Sequence, residues 1–142
     1  MSFDDIGFNI TVERALDKLR NSNNIRCNFK TSGDEYMVDS LVSLTLLRVI
    51  QEACSNSIKH GHAKEINVSL KYEPKSLTLT IKDDGDGFDT SAIPEFTRED
   101  NSGFGLSMMK ERIYLLSGKI SISSRPGDGC IVKVIIPVNK ED

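Results

Sequence analysis

The sequence predicts an α+β fold, a two-layer sandwich in which helices cover one face of a mixed β-sheet. Apolar residues recur at helical spacing in three stretches, and they alternate with polar residues in two pairs of stretches separated by turn residues. The resulting order is helix, strand, helix, two strands, a long polar loop, helix and two strands. Helices grouped on one side of a sheet accommodate that order most easily.

Two helices are predicted in the first half of the chain. Residues 12–19 carry apolar side chains at helical spacing and are followed by a polar, turn-prone run. Residues 41–60 form the strongest helical pattern in the sequence. Asp39 or Ser40 is a suitable N-cap for this long helix, and Gly61 stands just past its end.

The strands are predicted from short alternating runs. A single strand is expected over residues 25–31, a hairpin over 66–81 and a second hairpin over 119–138. Between the hairpins, residues 83–103 show little periodicity and carry three glycines, before a helical pattern resumes over 106–116. A loop of this length inside a compact domain is usually functional.

The chain of 142 residues is expected to form one domain. Residues 1–40 lead into it as a linker with the first helix and strand, residues 41–138 form its core, and 139–142 are a polar tail. No apolar run reaches membrane-spanning length, and we expect no signal peptide. The net charge of −3 disfavours binding to nucleic acid or direct contact with a membrane surface, so any phosphate group must be held locally.

The cysteines favour a reducing, cytoplasmic compartment. There are three, they lie far apart, and none belongs to a C-x-x-C pair. This pattern argues against a disulfide framework and against a zinc site. The three residues are Cys27, Cys54 and Cys130.

A first group of polar residues lies on the long predicted helix. Glu52 and Asn56 are four residues apart, and Lys59 and His60 follow one turn later on roughly the same face. A carboxylate and a carboxamide stacked in this way can offer oxygen atoms to Mg²⁺, and the lysine can reach the anionic partner of that ion. A solvated helix face with an ordinary charge pair is the alternative.

A second group follows the last strand of the first hairpin. Asp83 ends that strand, and Gly85 and Gly87 let the backbone turn sharply and come close to a flat ligand. A carboxylate only accepts hydrogen bonds, so it suits an exocyclic amine such as that of adenine. A plain turn is the alternative, whereas a calcium loop is excluded because Phe88 and Asp89 occupy positions that need a ligand and a glycine.

A third group precedes the helix at 106–116. Gly103 and Gly105, followed by Leu106, expose backbone N–H groups at a helix N-terminus, which is a site for a phosphate. The run is a weak dinucleotide fingerprint because Met108 stands where that motif needs glycine. The sequence also contains no P-loop motif.

The order E-x-x-x-N-x-x-K-H, D-x-G-x-G-F and G-x-G-L resembles the GHKL superfamily of ATP-binding domains. The segments LLRVIQEACSNSIKHGHA, IKDDGDGFD and GFGLSMMKERIYLLSGKISISSRPGDGCIVKVIIP are most similar to the catalytic domain of two-component sensor histidine kinases of the nitrate-sensor and LiaS/DegS type. The resemblance is strong over Leu44 to Val138 and weaker before it. It implies a Bergerat sandwich that binds ATP and Mg²⁺ and transfers the γ-phosphoryl group to a histidine.

The resemblance also implies a role for each matching residue. Asn56 would ligate Mg²⁺, Glu52 would orient the attacking group or a metal-bound water, and Lys59 and His60 would approach the phosphates. Asp83 would accept a hydrogen bond from the adenine amino group, and residues 89–102 would form a lid. The other positions implied to shape the pocket or contact the nucleotide are Gly85, Gly87, Gly103, Gly105, Leu106 and Cys130.

Two departures from the family pattern stand out. Cys130 occupies a position where the family usually has threonine, and a thiol is a weaker hydrogen-bond donor. No segment resembling the phospho-acceptor helix precedes Val12, and His60 and His62 are better interpreted as a pocket residue and a surface residue. We therefore expect the chain to be the catalytic half of a longer kinase.

The resemblance also implies partners for this chain. They would be its own dimerisation domain and, through that domain, a response regulator. A membrane-anchored parent protein is compatible with the resemblance.

Two alternative functions are retained. The pocket could hold nucleotide in a regulatory module without phosphotransfer, although Glu52 and Asn56 favour an enzyme. An anti-sigma-factor type of serine kinase belongs to the same superfamily. Transfer to a dimerisation domain or to an anti-anti-sigma protein would separate the two kinases.

Overall fold

The structure is a computed structural model that describes residues 7–87 and 109–138 of the chain. Residues 109–115 are helical and are called α3. The other elements are α1 (Phe8–Asn23), β1 (Arg26–Ser32), α2 (Ser40–Lys59), β2 (Glu65–Tyr72), β3 (Ser76–Asp83), β4 (Lys119–Ser124) and β5 (Cys130–Pro137).

The five strands form one mixed sheet in the order β1-β2-β3-β5-β4. Strands β1 and β2 are parallel and are connected through α2, as a parallel pair requires a long crossover. The pairs β2–β3, β3–β5 and β4–β5 are antiparallel. The mixed sheet and both predicted hairpins are therefore confirmed.

One face of the sheet carries the core. Side chains of β2, β3 and β5 alternate between buried and more exposed positions, so each strand turns an apolar row to the same side. Helix α2 packs on β3 and β5, and α1 packs on β1 and α2. Burying each of these large apolar side chains contributes about 1.5–3 kcal/mol, which makes this interface the main source of stability. Its fully buried members include Leu16, Leu46, Ile50, Ile66, Leu70, Leu77, Leu79, Ile81, Ile113 and Ile136.

Both predicted helices of the first half are present, but their ends differ from the expectation. Helix α1 continues to Asn23, through the polar run that was expected to end it, and α2 begins at Ser40. Helix α1 begins at Phe8, because Phe8 is buried and extends the apolar face of Val12 and Leu16 by one turn. Helix α2 has Asp39 as its N-cap and ends at Lys59, one residue earlier than expected. Of the helix expected over 106–116, residues 106–108 lie outside the described residues.

The fold brings three chain segments to one end of the sheet. The C-terminal end of α2 continues into residues 60–64, β3 ends at Asp83, and the turn at 125–129 leads into β5. Since Asp83 pairs with Cys130 at the start of β5, these segments are neighbours in space. Of the residues that the sequence singled out, this end of the sheet contains Asp83, Gly85, Gly87 and Cys130, beside the end of α2.

Candidate functional site

A buried carboxylate lies at the centre of this end of the sheet. Asp83 is the last residue of β3 and its side chain faces the core layer, with 7% of the residue exposed. The backbone N–H of Gly85 donates to its Oδ1 at 2.8 Å. The hydroxyl of Ser57 on α2 lies 2.5 Å from its Oδ2. A buried carboxylate needs such donors, and the two come from different elements.

The glycine-rich turn after β3 runs directly against the end of α2. A Cβ on Gly85 would lie 2.4 Å from the carbonyl oxygen of Gly61, so only glycine allows this approach. The next residue, Asp86, donates its backbone N–H to the same carbonyl at 2.6 Å. Gly85 therefore does make a close backbone approach, but its partner is the carbonyl group of Gly61 and not the flat ligand that was expected.

The same turn also contacts the turn before β5. Gly87 has φ +69°, and a Cβ there would lie 2.1 Å from the carbonyl oxygen of Arg125. The backbone N–H of Gly127 donates to the carbonyl of Asp86 at 2.5 Å. These contacts join the two glycine-rich turns into one rigid rim beside Asp83.

Gly129 is a member of this rim that the sequence analysis did not single out. It has φ +74°, and a Cβ there would lie 2.2 Å from the backbone oxygen of Asp83. Its signal in the sequence is the G-D-G run before β5, which by itself predicts only a hairpin turn. Its second glycine lets β5 start close enough to β3 for Cys130 to pair with Asp83.

The polar residues of α2 lie on the helix as predicted, one turn apart along its C-terminal half. Glu52 and Asn56 are partly exposed, and Lys59 and His60 are exposed where the helix ends. Glu52 and Asn56 make no side-chain hydrogen bond within residues 7–87 and 109–138. Their oxygen atoms are therefore available to a ligand.

This donor set fits a magnesium ion held jointly with a phosphate. Among the described residues no group of three or more His, Cys, Asp or Glu side chains could hold a metal ion by itself. One carboxamide oxygen and one carboxylate instead suit Mg²⁺, which keeps several waters and is bound through one or two side chains together with substrate phosphates. Asn56 would supply the direct ligand and Glu52 a contact to a bound water.

Two cysteines flank Asp83. Burial raises the pKa of the Cys130 thiol to about 11, and the negative charge of Asp83 adds to the effect. Burial likewise raises the pKa of the Cys54 thiol on α2 to about 12, with smaller contributions from Cys27 and Asp83. Both thiols are therefore protonated at neutral pH, and they add no charge beside the carboxylate.

Two further contacts hold the rim, and the sequence analysis missed both. Nδ1 of His62 lies 2.8 Å from Oδ2 of Asp86, and both side chains are largely exposed. Oδ1 of Asp84 accepts the backbone N–H groups of Lys64 and Glu65, and these hydrogen bonds lower the pKa of the Asp84 carboxyl group. The interpretation of His62 as a surface residue is confirmed, and the histidine also has Asp86 as a hydrogen-bond partner.

The remaining predicted site residues lie outside the described part of the chain. They are Gly103, Gly105 and Leu106, together with the expected lid over residues 89–102. Their assignments stay predictions.

Comparison with known proteins identifies the class to which this fold and site belong. The family described as histidine kinase-, DNA gyrase B-, and HSP90-like ATPase matches residues 42–140. The chain belongs to this family of ATPases. The buried aspartate and the helix with Glu52 and Asn56 lie within the matched region.

Relatives of this chain include proteins named as histidine kinases. The chain is 32% identical over 142 residues to the signal transduction histidine-protein kinase/phosphatase DegS of Brevibacillus brevis, covering 100% of this chain and 35% of that protein. It is 32% identical to DegS of Bacillus subtilis (strain 168), covering 98% of this chain and 36% of that protein. It thus spans little more than a third of each relative.

Solved structures agree on the fold. The catalytic domain of the histidine kinase ThkA has a TM-score of 0.72 at 18% identity and covers 96% of this chain and 94% of that one. The histidine kinase domain of the blue-light activated kinase of Erythrobacter litoralis EL346 has a TM-score of 0.72 at 16% identity, covering 94% and 62%. The predicted α+β sandwich is confirmed, and it is the fold that these histidine kinase catalytic domains share.

Proposed function

We propose that this domain binds ATP between the C-terminal half of α2 and the rim after β3, and donates the γ-phosphoryl group to a histidine on a separate dimerisation domain. The observation that carries the proposal is the buried carboxylate of Asp83, held by two donors at the end of β3. Glu52 and Asn56 stand on the neighbouring helix with free oxygen atoms. Adjoining elements therefore carry both parts of a nucleotide site: β3 carries a residue suited to the base, and α2 carries residues suited to the metal and the phosphates.

Asp83 would recognise the adenine ring. A carboxylate accepts hydrogen bonds, and the exocyclic amine of adenine donates them, whereas the carbonyl at the same position of guanine does not. Because the carboxylate is buried, leaving it without this partner costs more than the same loss at the surface. The site would therefore select ATP over GTP.

The residues of α2 would receive the phosphates. Bound Mg²⁺ would neutralise negative charge on the phosphate chain. Lys59 presents an ammonium group at the exposed end of the helix, and His60 lies beside it. Glu52 would orient the attacking group, and positioning of this kind accounts for most of the catalysis of phosphoryl transfer.

The wider organisation follows from the same proposal. Residues 41–138 would form the catalytic core. Residues 1–40 would lead into it from the dimerisation domain and supply α1 and β1, which pack in the same domain. Residues 139–142 would be a tail. The phosphoryl group would pass from the dimerisation domain to a response regulator in the cytoplasm, where ATP is available. No helix in the described parts of the chain is long and apolar enough to cross a membrane.

A phosphotransfer assay tests the proposal. The domain is incubated with γ-radiolabelled ATP, Mg²⁺ and the histidine-containing dimerisation domain of a DegS-type kinase, with a histidine-to-glutamine form of that domain as the control. We expect label on the acceptor that is stable to alkali and lost in acid, the behaviour of phosphohistidine.

Acid-stable label on an anti-anti-sigma protein would instead identify a serine kinase. Tight ATP binding without transfer to either acceptor would indicate a regulatory module.

A further inference from the structure

Ser57 stands one residue after Asn56 on α2, but its side chain is buried in the core layer whereas Asn56 is partly exposed. The residue is buried, with 7% exposed. Its Oγ lies 2.5 Å from Oδ2 of Asp83 and 2.9 Å from the carbonyl oxygen of Ala53, one turn earlier in the helix. A buried hydroxyl therefore links the helix that carries Asn56 to the strand that carries Asp83.

The hydroxyl of Ser57 has one proton and two acceptors within reach. The carboxylate is the stronger acceptor and is also the nearer, so the proton belongs mainly to the bond with Asp83. Each carboxylate oxygen then has its own donor, since Gly85 N–H donates to Oδ1 and Ser57 O–H to Oδ2. Two donors from different elements prevent the carboxylate plane from turning about the Cβ–Cγ bond.

Other groups near Asp83 cannot replace this hydroxyl. The charge of Asp83 helps to raise the pKa of the thiols of Cys54 and Cys130, so both thiols lie near it, but a thiol is a weak donor. Among the described residues, no second side chain donates a hydrogen bond to this carboxylate. Removing the hydroxyl would leave Oδ2 buried without a strong donor.

We propose that Ser57 is a positioning residue for the base-recognition carboxylate: it holds Asp83 in the orientation that accepts the 6-amino group, and so determines how strongly the pocket prefers adenine to a purine without that group. This inference rests on the proposed ATP site and adds the residue that sets its specificity. Ser57 acts through Asp83 and has no contact of its own with the base. Its effect is therefore confined to ligands that use the 6-amino group.

The experiment measures the affinities of two nucleotides by calorimetric titration. ATP is compared with purine riboside triphosphate, which lacks the 6-amino group, on the wild type, on Ser57→Ala and on Ser55→Ala. We expect Ser57→Ala to weaken ATP binding about tenfold or more while leaving the analogue unchanged, because a hydrogen bond to a charged group is of that size. Ser55, a partly buried neighbour on the same helix, provides the matched control and should change neither affinity.

A second arm uses the Asp83→Asn background. If Ser57 acts through the carboxylate, Ser57→Ala has no further effect once Asp83 is changed, since the two changes remove one interaction. Equal losses for both nucleotides, or the same loss in both backgrounds, would overturn the inference and make Ser57 a purely structural residue. Ser57→Cys, which keeps the size but weakens the donor, should give an intermediate preference and serves if the alanine variant unfolds.

The two proposals fail differently. If the wild type binds ATP no more tightly than the analogue, the adenine contact of Asp83 is absent and both proposals fall. If the wild type prefers ATP and Ser57→Ala retains that full preference, only the role of Ser57 is contradicted.

Discussion

Cys130 lies directly opposite Asp83 in the antiparallel pair of β5 and β3. Residues paired in this way project to the same side of a sheet, so a thiol stands beside the buried carboxylate. Burial and the charge of Asp83 raise the pKa of that thiol to about 11, which keeps it neutral at physiological pH. The strand neighbour of the proposed base-recognition residue is therefore a weak hydrogen-bond donor.

The first prediction concerns this neighbour. Cys130→Thr should tighten ATP binding about two- to fivefold, because a hydroxyl is a stronger donor than a thiol. Cys130→Val has nearly the shape of threonine without its hydroxyl and is the matched control. Calorimetric titration measures the affinity of both variants for ATP. Equal affinities of the threonine and valine variants would contradict a hydrogen-bonding role at this position.

The second prediction concerns the close approach of Gly85 to Gly61. Gly85→Ala should destabilise the fold by about 2 kcal/mol or more, because its Cβ would lie 2.4 Å from a backbone oxygen that cannot easily move. Gly127→Ala adds a Cβ in open space at φ +87° and should cost only about 1 kcal/mol. Free energies of unfolding in urea compare the two variants. A larger loss for Gly127→Ala would show that the rim is not closely packed at Gly85.

The third prediction separates binding from transfer at Glu52. Glu52→Gln keeps the size of the side chain and removes its charge, so ATP binding should change less than about threefold. Phosphotransfer to a dimerisation domain should fall about a hundredfold or more if Glu52 acts on the attacking group. Gln51→Ala, at the exposed neighbouring position, should leave both quantities unchanged. Loss of binding and of transfer in equal measure would place Glu52 in nucleotide binding instead.

The fourth prediction is a loss of stability in alkali. The thiol of Cys54 has an ordinary pKa of 9.0, and burial raises it to about 12 in the folded protein. Between these two values the unfolded chain has lost the proton and the folded chain has kept it, so the free energy of unfolding falls as the pH rises.

Urea unfolding at pH 8, 9 and 10 measures this effect. Above about pH 9, one such group contributes a slope approaching about 1.4 kcal/mol per pH unit. In Cys54→Ala, the free energy of unfolding should fall less steeply with pH. Part of the fall should remain, because the pKa values of Cys130 and Tyr72 are also raised in the folded protein. Identical slopes for the wild type and Cys54→Ala would contradict the burial argument.

Much of this architecture follows from local sequence patterns. The end of β3 at Asp83 and both hairpins were predicted, and Asp39 was one of the two predicted N-caps, because each feature depends on alternation, capping or turn residues within a few positions. The placement of Glu52 and Asn56 on one helix face followed from helical spacing alone. Features of this kind can be predicted because the residues that produce them are neighbours in the sequence.

The contacts between distant segments were not predictable in this way. Ser57 and Asp83 are 26 positions apart, and their hydrogen bond exists only because α2 packs across β3. In the sequence, Ser57 is one small polar residue next to the more prominent Asn56. The close approach of Gly129 to Asp83 likewise depends on how β5 pairs with β3. The roles of Gly103, Gly105 and Leu106 stay predictions.

The central claim is that Asp83 recognises the base of ATP. Calorimetric titration of ATP, with and without Mg²⁺, is carried out on the wild type and on Asp83→Asn, with thermal unfolding to confirm that both are folded. The account predicts micromolar to sub-millimolar binding by the wild type, tighter with Mg²⁺, and a loss of about a hundredfold or more in the variant, because a buried site built around a hydrogen bond discriminates strongly when a partner is missing. Equal affinities of the two folded proteins for ATP would contradict it.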